Sequence, residues 1–153
     1  MDKEYKENED LHDDQQAHDA GFEMTLEDFL SEHIVEGATE EIILCERLKG
    51  YKFKIGSMTK KEHENYLKSC IVRGKGGRVL SQNNNLFNEL VVLNHCIYPN
   101  FKDVEFLKKL NAATPSEALS KVLKTGEITI LASKILKFNG FEDEEDEREK
   151  VKN

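Results

Sequence analysis

Residues 51–70 read YKFKIGSMTKKEHENYLKSC, and two different periodicities follow one another within this stretch. From Tyr51 to Ile55, aromatic or branched apolar residues alternate with lysines, which is the period of two typical of a half-buried strand. Thr59 and Glu62 then have the spacing of a helix capping box. The stretch therefore predicts a strand followed by a helix of residues 60–69, and with it an α+β fold.

The residues just upstream predict the strand's partner. Residues 42–48 are rich in apolar side chains, and Lys49-Gly50 follows them as a two-residue connection. Two-residue hairpin turns need a backbone with positive φ, which glycine adopts most readily. We therefore expect an antiparallel hairpin whose turn is formed by Gly50.

A second hairpin is predicted by the glycine-rich stretch IVRGKGGRVLSQNNN, residues 71–85, where short apolar pairs flank a polar tip. No Ser or Thr stands where a phosphate-binding P-loop needs one, and no helix opens directly after the glycines. The bases Arg73, Lys75 and Arg78 have no aromatic neighbour on which nucleic-acid bases could stack. The stretch is therefore interpreted as a solvated hairpin tip. Because the tails of the chain are acidic, the hypothesis is that these three bases contact the tail of a second copy, and the alternative is a simple turn.

The second half of the chain has helical signals throughout. An apolar stripe from Asn84 continues to Ile97, and Pro99 should end that helix. Thr114, Pro115 and Glu117 match an N-cap with proline at the first helical position. A last helix over residues 126–138 should end at Asn139-Gly140, with Phe141 folding back on it. The predicted architecture is a small antiparallel β-hairpin element followed by a cluster of short helices.

Charge divides the chain of 153 residues into three parts. Residues 1–23 contain nine acids and two lysines, and residues 142–153 contain seven acids and three bases. Both segments have too few large apolar residues to offset the entropy of ordering. We therefore predict a disordered acidic head at 1–23, a single α+β domain at 24–141 and an acidic tail at 142–153.

The sequence favours no enzymatic chemistry. His63-Glu64 begins like a zinc-protease motif, but Leu67 stands where the second histidine would be. The three cysteines are widely spaced and include no CxxC pair, which suggests free thiols. The N-terminus does not read as a signal peptide, and no apolar run is long enough to span a membrane. No catalytic, metal-binding or cofactor-binding residue is predicted.

Three stretches taken in order resemble a known family. They are TLEDFLSEH from Thr25, residues 51–70, and YPNFKDVEFLKKLNAATPSEALSKVLKTGEITILASKILKFNGF, which ends at Phe141. Over residues 24–153 the chain is similar to the XkdN-like tail assembly chaperones of PBSX-type prophages and contractile-tail particles. The acidic head is longer than this family leads us to expect, so the resemblance assigns it no role.

The resemblance implies a non-catalytic protein of the bacterial cytoplasm. Such chaperones are thought to bind the tape measure protein, to leave as tube subunits polymerise, and to be absent from the mature virion. The tail tube protein is a further candidate partner, and a homo-oligomer is expected, with no nucleic-acid or membrane partner. A minor structural component of the tail, such as a tube or connector protein, is the first alternative. A small nucleic-acid-binding regulator that uses the basic tip is the second.

A chaperone of apolar helices needs exposed apolar surface. Three segments of this chain offer apolar side chains at helical spacing, and the candidate partner-binding residues come from them. They are Leu26, Phe29, Leu30, Phe101, Phe106, Leu110, Leu131, Ile135 and Phe138.

Overall fold

The structure, a computed structural model, describes residues 24–142, which belong to two units. The described part of the first unit, residues 24–35, contains helix α1, Leu26–Glu32. The Thr25 hydroxyl accepts a hydrogen bond from the Asp28 amide at 3.2 Å and so caps the start of this helix. With seven residues, α1 is too short to be a stable helix by itself.

The second unit, from Glu36 onward, mixes five short strands with five α-helices among its described residues. Its elements are β1 Thr39–Ile42, β2 Phe53–Gly56, α2 Lys60–Ser69, β3 Ile71–Arg73, β4 Val79–Gln82, α3 Asn84–His95, β5 Cys96–Tyr98, α4 Val104–Leu110, α5 Pro115–Val122 and α6 Thr125–Phe138. Two single 3₁₀ turns lie at Glu46–Leu48 and Lys75–Gly77. The α+β class predicted from the sequence is confirmed.

Two antiparallel sheets are present in the described part of this unit. The first has the order β1-β2-β5, with Ile42 opposite Phe53 and Ile55 opposite Cys96. The second is the hairpin β3–β4, in which Val72 lies opposite Ser81. The glycine-rich stretch is therefore a hairpin, as predicted.

The core lies where α6 packs against α3 and β2. Burying these apolar side chains supplies most of the favourable free energy of folding. The fully buried apolar side chains with the largest volumes are Phe101, Ile55, Leu119, Leu131, Ile135, Val91 and Val92, together with the thiol of Cys70.

Helix ends follow the local signals closely. Thr59 and Glu62 form both hydrogen bonds of a capping box, each at 3.1 Å, at the start of α2. At the end of α6, Gly140 has a φ of +93° and the Phe141 amide donates to the carbonyl oxygen of Leu136 at 3.0 Å. This is the six-to-one bond of a Schellman cap. The predicted capping of both helices is confirmed.

The connection between β1 and β2 differs from the prediction. The first strand is Thr39–Ile42, and the chain then leaves the sheet and forms the 3₁₀ turn at Glu46–Leu48. Gly50 does not have positive φ. The predicted two-residue turn was wrong. The side chains of Cys45 and Arg47 are hydrogen-bonded to Glu127 on α6, and with these bonds the segment after β1 does not continue as a strand.

The end of α3 also differs from the prediction. Ile97 was expected to be helical, but the helix ends at His95 and residues 96–98 form strand β5. Cys96 pairs with Ile55 there, so the second edge of β2 is satisfied by a strand rather than left open. Helical periodicity alone could not foresee this pairing because the two strands are about 40 residues apart in sequence.

The division of the chain into an acidic head, one domain and an acidic tail stays a prediction. Residues 1–23, the predicted disordered head, lie outside the described residues, and so does the predicted acidic tail after its first residue, Glu142.

Candidate partner-binding surfaces

An apolar cleft of about 270 Å³ opens on the second unit, beside strands β2 and β5. Seven of its eight lining residues are apolar or aromatic. The lining consists of Leu48, Tyr51, Lys52, Phe53, Tyr98, Pro99, Phe106 and Val122. We refer to these eight residues as the tyrosine cleft.

Two tyrosines form the exposed edge of the tyrosine cleft. Tyr51 is 69% exposed and Tyr98 is 67% exposed, whereas Phe53 at the floor is buried. The Tyr51 amide donates to the Leu48 carbonyl oxygen at 3.0 Å, which fixes the backbone just before β2. Tyr98 lies opposite Lys54 in the sheet register. Exposed tyrosines over an apolar floor are typical of protein-binding surfaces.

Phe106 connects the cleft with the core. Its ring meets the buried Phe101 ring edge-on, with the centroids 5.7 Å apart. Phe106 is half-buried, packs against the buried core and also lines the cleft. Of the nine predicted partner-binding residues, Phe106 is the one that lines this cleft.

In α1, three of the predicted residues lie on one helical face and are exposed. Leu26 is 73% exposed, and Phe29 and Leu30 are each half exposed. The Phe29 ring meets the His33 ring edge-on at 5.1 Å. Apolar side chains at i, i+3 and i+4 form a stripe that a partner could cover.

The other predicted residues are mostly used by the domain itself. Phe101, Leu131 and Ile135 have no exposed surface at all, and Leu110 and Phe138 are half-buried. A partner could not contact Leu131 or Ile135 without opening the packing of α6 on α3. Partner binding by these nine residues stays a prediction, and the three buried ones are better described as core.

The three bases of the hairpin tip are exposed and lie close together in sequence. Arg73 Nη1 donates to the Gly77 carbonyl oxygen at 2.8 Å, and the Gly74 amide donates to the Arg78 carbonyl oxygen at 2.8 Å. Gly76 and Gly77 have φ of +76° and +79°, which explains glycine at both positions. The predicted contact of this tip with a second copy stays a prediction.

Two polar groups with little exposed surface, Glu127 and the Cys96 thiol, have partners within the domain itself. The Arg47 guanidinium, with help from the Lys124 amide, lowers the pKa of Glu127 to about 2. Burial raises the pKa of the Cys96 thiol to about 12, so this thiol is a poor nucleophile at neutral pH. Within residues 24–142, no group of three His, Cys, Asp or Glu side chains is placed to hold a metal ion.

Most of the tyrosine cleft was missed by the sequence analysis. Tyr51 was assigned to the half-buried face of a strand, but β2 begins at Phe53 and leaves Tyr51 outside it. Pro99 was expected to end a helix, and Tyr98 entered only as the first residue of a stretch that carries the family resemblance. The cleft is built from four separate segments of the chain, and the sole local signal was the pair of tyrosines next to apolar residues.

Comparisons with known proteins give two results. The family model of the phage XkdN-like tail assembly chaperone protein matches residues 26–152. The crystal structure of the protein yqbn is similar, with a TM-score of 0.57 and 19% sequence identity, over 78% of this chain and 98% of that one. This likeness concerns the fold alone.

A comparison with curated proteins gives no match. Among the residues that the structure describes, no helix combines the length and apolar composition needed to cross a bilayer. The family model extends over most of the chain, including all the elements described above from α1 to α6. The chain therefore belongs to the XkdN-like family of phage tail assembly chaperones.

Proposed function

We propose that this chaperone binds the tape measure protein of its phage during tail assembly and leaves before the particle is complete. The observation that carries the proposal is the tyrosine cleft, an uncovered apolar surface on a member of a tail assembly chaperone family. A chaperone must cover apolar side chains of its client, and such a surface can do so.

The size of the cleft favours a peptide side chain over a small-molecule ligand. Its volume of about 270 Å³ lies below the roughly 300–1,000 Å³ of sites that enclose drug-sized ligands. An amphipathic helix that places one or two apolar side chains between Tyr51 and Tyr98 would fit this space. We therefore propose an apolar helical face of the tape measure protein as the occupant.

Helix α1 is proposed as a second contact with the same client. Its stripe of Leu26, Phe29 and Leu30 is exposed, and a helix of seven residues gains stability when a partner covers its apolar face. Two weak apolar contacts joined by one chain bind a long client more tightly than either alone.

The proposal includes the setting in which the protein works. We infer that several copies bind along one tape measure protein in the cytoplasm of the bacterial host, with the tail tube protein as a further partner. Mass spectrometry of purified particles tests this part, because a disposable chaperone should be absent from them. Stoichiometric presence would instead favour a structural tail component.

Co-expression with the tape measure protein encoded by the same phage tests the binding. We expect the chaperone to raise the soluble fraction of the tape measure protein and to co-purify with it. The variant with Tyr51→Glu and Tyr98→Glu should bind about tenfold more weakly or worse, because two exposed aromatic contacts are lost. The matched control is Ile130→Glu, which changes an exposed apolar residue of α6 outside the cleft.

The proposal fails if the tape measure protein is no more soluble with the chaperone than without it. Thermal unfolding of each variant separates a loss of binding from a loss of fold. The two tyrosines are well exposed, so their replacement should leave the unfolding temperature close to that of the unmodified chain.

A further inference from the structure

The hairpin β3–β4 carries positive charge that nothing in the described part of the chain neutralises. From Asn65 to Asn88 the sequence has four bases and no acid, although the whole chain has a net charge of −8. Within residues 24–142, Arg73, Lys75 and Arg78 form no ion pair with a carboxylate. A surface of this kind attracts an acidic partner.

The tip contains hydrogen bonds of its own. The hydrogen bonds from Arg73 to Gly77 and from Gly74 to Arg78 close the turn, and both are 2.8 Å long. The bases are therefore attached to a fixed backbone, which reduces the entropy that a ligand must overcome. Apolar side chains next to them are also uncovered, since Val79 and Leu80 are more than half exposed.

An acidic segment of the same chain starts near the helix that leads into this hairpin. Residues 143–149 read DEEDERE, with six acids and one arginine. The Phe141 ring lies 4.6 Å from the His63 ring, centroid to centroid, so the chain enters the acidic segment beside the first half of α2. Helix α2 ends at Ser69, and β3 follows it at once.

The far end of the acidic segment can reach Arg73, at the base of the hairpin tip. Along the backbone, His63 and Arg73 are at most about 25 Å apart, given ~1.5 Å per helical residue and ~3.8 Å per extended one. Residues 142–149 can span up to about 26 Å. The long side chains of Arg73, Lys75 and Arg78 shorten the gap further.

We propose that the hairpin of residues 71–82 is the docking surface for the chain's own acidic segment, residues 143–149. A segment tethered to the same molecule has a high effective concentration at the hairpin, which favours it over the same segment of a second copy. Nucleic acid is disfavoured because the net negative charge of the chain repels phosphates. Each exposed ion pair is weak alone, so the contact should be sensitive to salt.

Zero-length cross-linking with a carbodiimide tests the contact in the full chain. This reagent joins the Lys75 ammonium to a carboxylate only when the two groups touch, and mass spectrometry identifies the linked residues. We expect links from Lys75 to residues 143–149 at low salt and few at about 0.5 M NaCl. Lys109, which is exposed on α4, reports the background of random links.

Two pairs of substitutions separate specific from general charge effects. The variant with Arg73→Gln and Arg78→Gln should reduce the Lys75 links by about fivefold or more, because two of three charges are removed. The control with Lys108→Gln and Lys109→Gln has the same net charge as that variant. It should leave the yield of Lys75 links unchanged. Since Arg73 also bonds to Gly77, the single variant Arg78→Gln repeats the test without disturbing that bond.

An equal mixture of ¹⁵N-labelled and unlabelled protein distinguishes the occupants. The proposal requires that both peptides of a cross-linked pair come from one molecule, so that both are labelled or both are unlabelled. Mixed pairs as frequent as pure ones would overturn it and assign the hairpin to the tail of a second copy. Equal yields of cross-links to residues 143–149 from Lys75 and from Lys109 would also overturn the proposal. So would a gel shift of duplex DNA that depends on Arg73 and Arg78.

Discussion

Arg47 donates hydrogen bonds from Nε and Nη2 to the two carboxylate oxygens of Glu127, which lies 80 residues further along the chain. The same guanidinium also donates to the Val122 carbonyl oxygen at 3.1 Å, and the Cys45 thiol donates to Glu127 at 3.2 Å. This pairing joins the segment after β1 to the start of α6, next to the tyrosine cleft that Leu48 and Val122 line.

The first prediction concerns stability in acid. The pKa of Glu127 is about 2 in the folded chain and near 4.5 without its partners, so the unfolded state binds the proton first as pH falls. The stabilising contribution is complete above pH 4.5 and is lost as pH falls towards 2. Between these limits we expect unfolding to take up about one more proton in the unmodified chain than in Glu127→Gln.

Denaturant titrations at several pH values measure this difference as the slope of the unfolding free energy against pH. The control is Glu105→Gln, which removes an exposed carboxylate whose ion pair to Lys108 is 3.8 Å long. An identical slope for Glu127→Gln and the unmodified chain would contradict the assigned pairing.

The second prediction concerns His95, which is buried. Its Nδ1 lies 3.1 Å from the Ser57 carbonyl oxygen, and its Nε2 lies 2.9 Å from the Tyr66 hydroxyl. Burial lowers the pKa of His95 below 6.5, so the unfolded chain takes up a proton at a pH where the folded chain does not. The free energy of unfolding should therefore fall as pH decreases from about 7 to about 5.

In His95→Gln this part of the pH dependence should disappear, although the variant is less stable at all pH values. His33→Gln, which changes the exposed histidine that follows α1, serves as the control and should keep the original slope. Chemical denaturation in buffers of constant ionic strength is the suitable measurement. A slope that survives in His95→Gln would show that another group titrates.

Local hydrogen bonds explain which parts of the fold could be predicted from the sequence. The start of α2 depends on Thr59 and Glu62, three residues apart, and the start of α5 depends on Thr114 and Glu117 at the same spacing. The end of α6 depends on Gly140 and its neighbours. In each case the groups that satisfy the helix end are within five residues, so the sequence pattern contains the whole interaction.

Contacts between distant segments explain the rest. The path after β1 depends on Glu127, and strand β5 depends on pairing with β2. The tyrosine cleft needs four segments to be in place before it exists. For the same reason, periodicity could identify Leu131 and Ile135 as one apolar face but could not show that α3 and β2 already cover it.

The third prediction concerns Asn139, which links α6 to the end of β2. Its Oδ1 accepts from the Met58 amide at 2.7 Å, and its Nδ2 donates to the carbonyl oxygens of Gly56 and Ile135 at 3.2 and 2.9 Å. Asn139→Ala removes these three side-chain hydrogen bonds, although the Ile135 carbonyl keeps the backbone amide of residue 139 as a donor. The substitution should lower the free energy of unfolding by about 1–3 kcal/mol.

Asn94→Ala is the matched control for Asn139. Asn94 is exposed and bonds to Leu90 and Lys102 on the surface, where water can replace it. Its loss should change the free energy of unfolding by about 0.5 kcal/mol or less. Equal effects of the two substitutions in urea titrations would contradict the role given to Asn139.

The fourth prediction separates folding from partner binding among the residues that the sequence nominated. Leu131 is fully buried against the core, so Leu131→Ala should lower the free energy of unfolding by about 2–5 kcal/mol. Leu26 is largely exposed on α1, so Leu26→Ala should change the free energy of unfolding by about 0.5 kcal/mol or less.

If α1 contacts the tape measure protein, Leu26→Ala weakens that binding in a chain that is still fully folded. Leu131→Ala should weaken it only as far as the folded fraction falls, which binding measured at two urea concentrations would reveal. A loss of binding by Leu131→Ala at full folding, with no effect of Leu26→Ala, would place the client on α6 instead of α1.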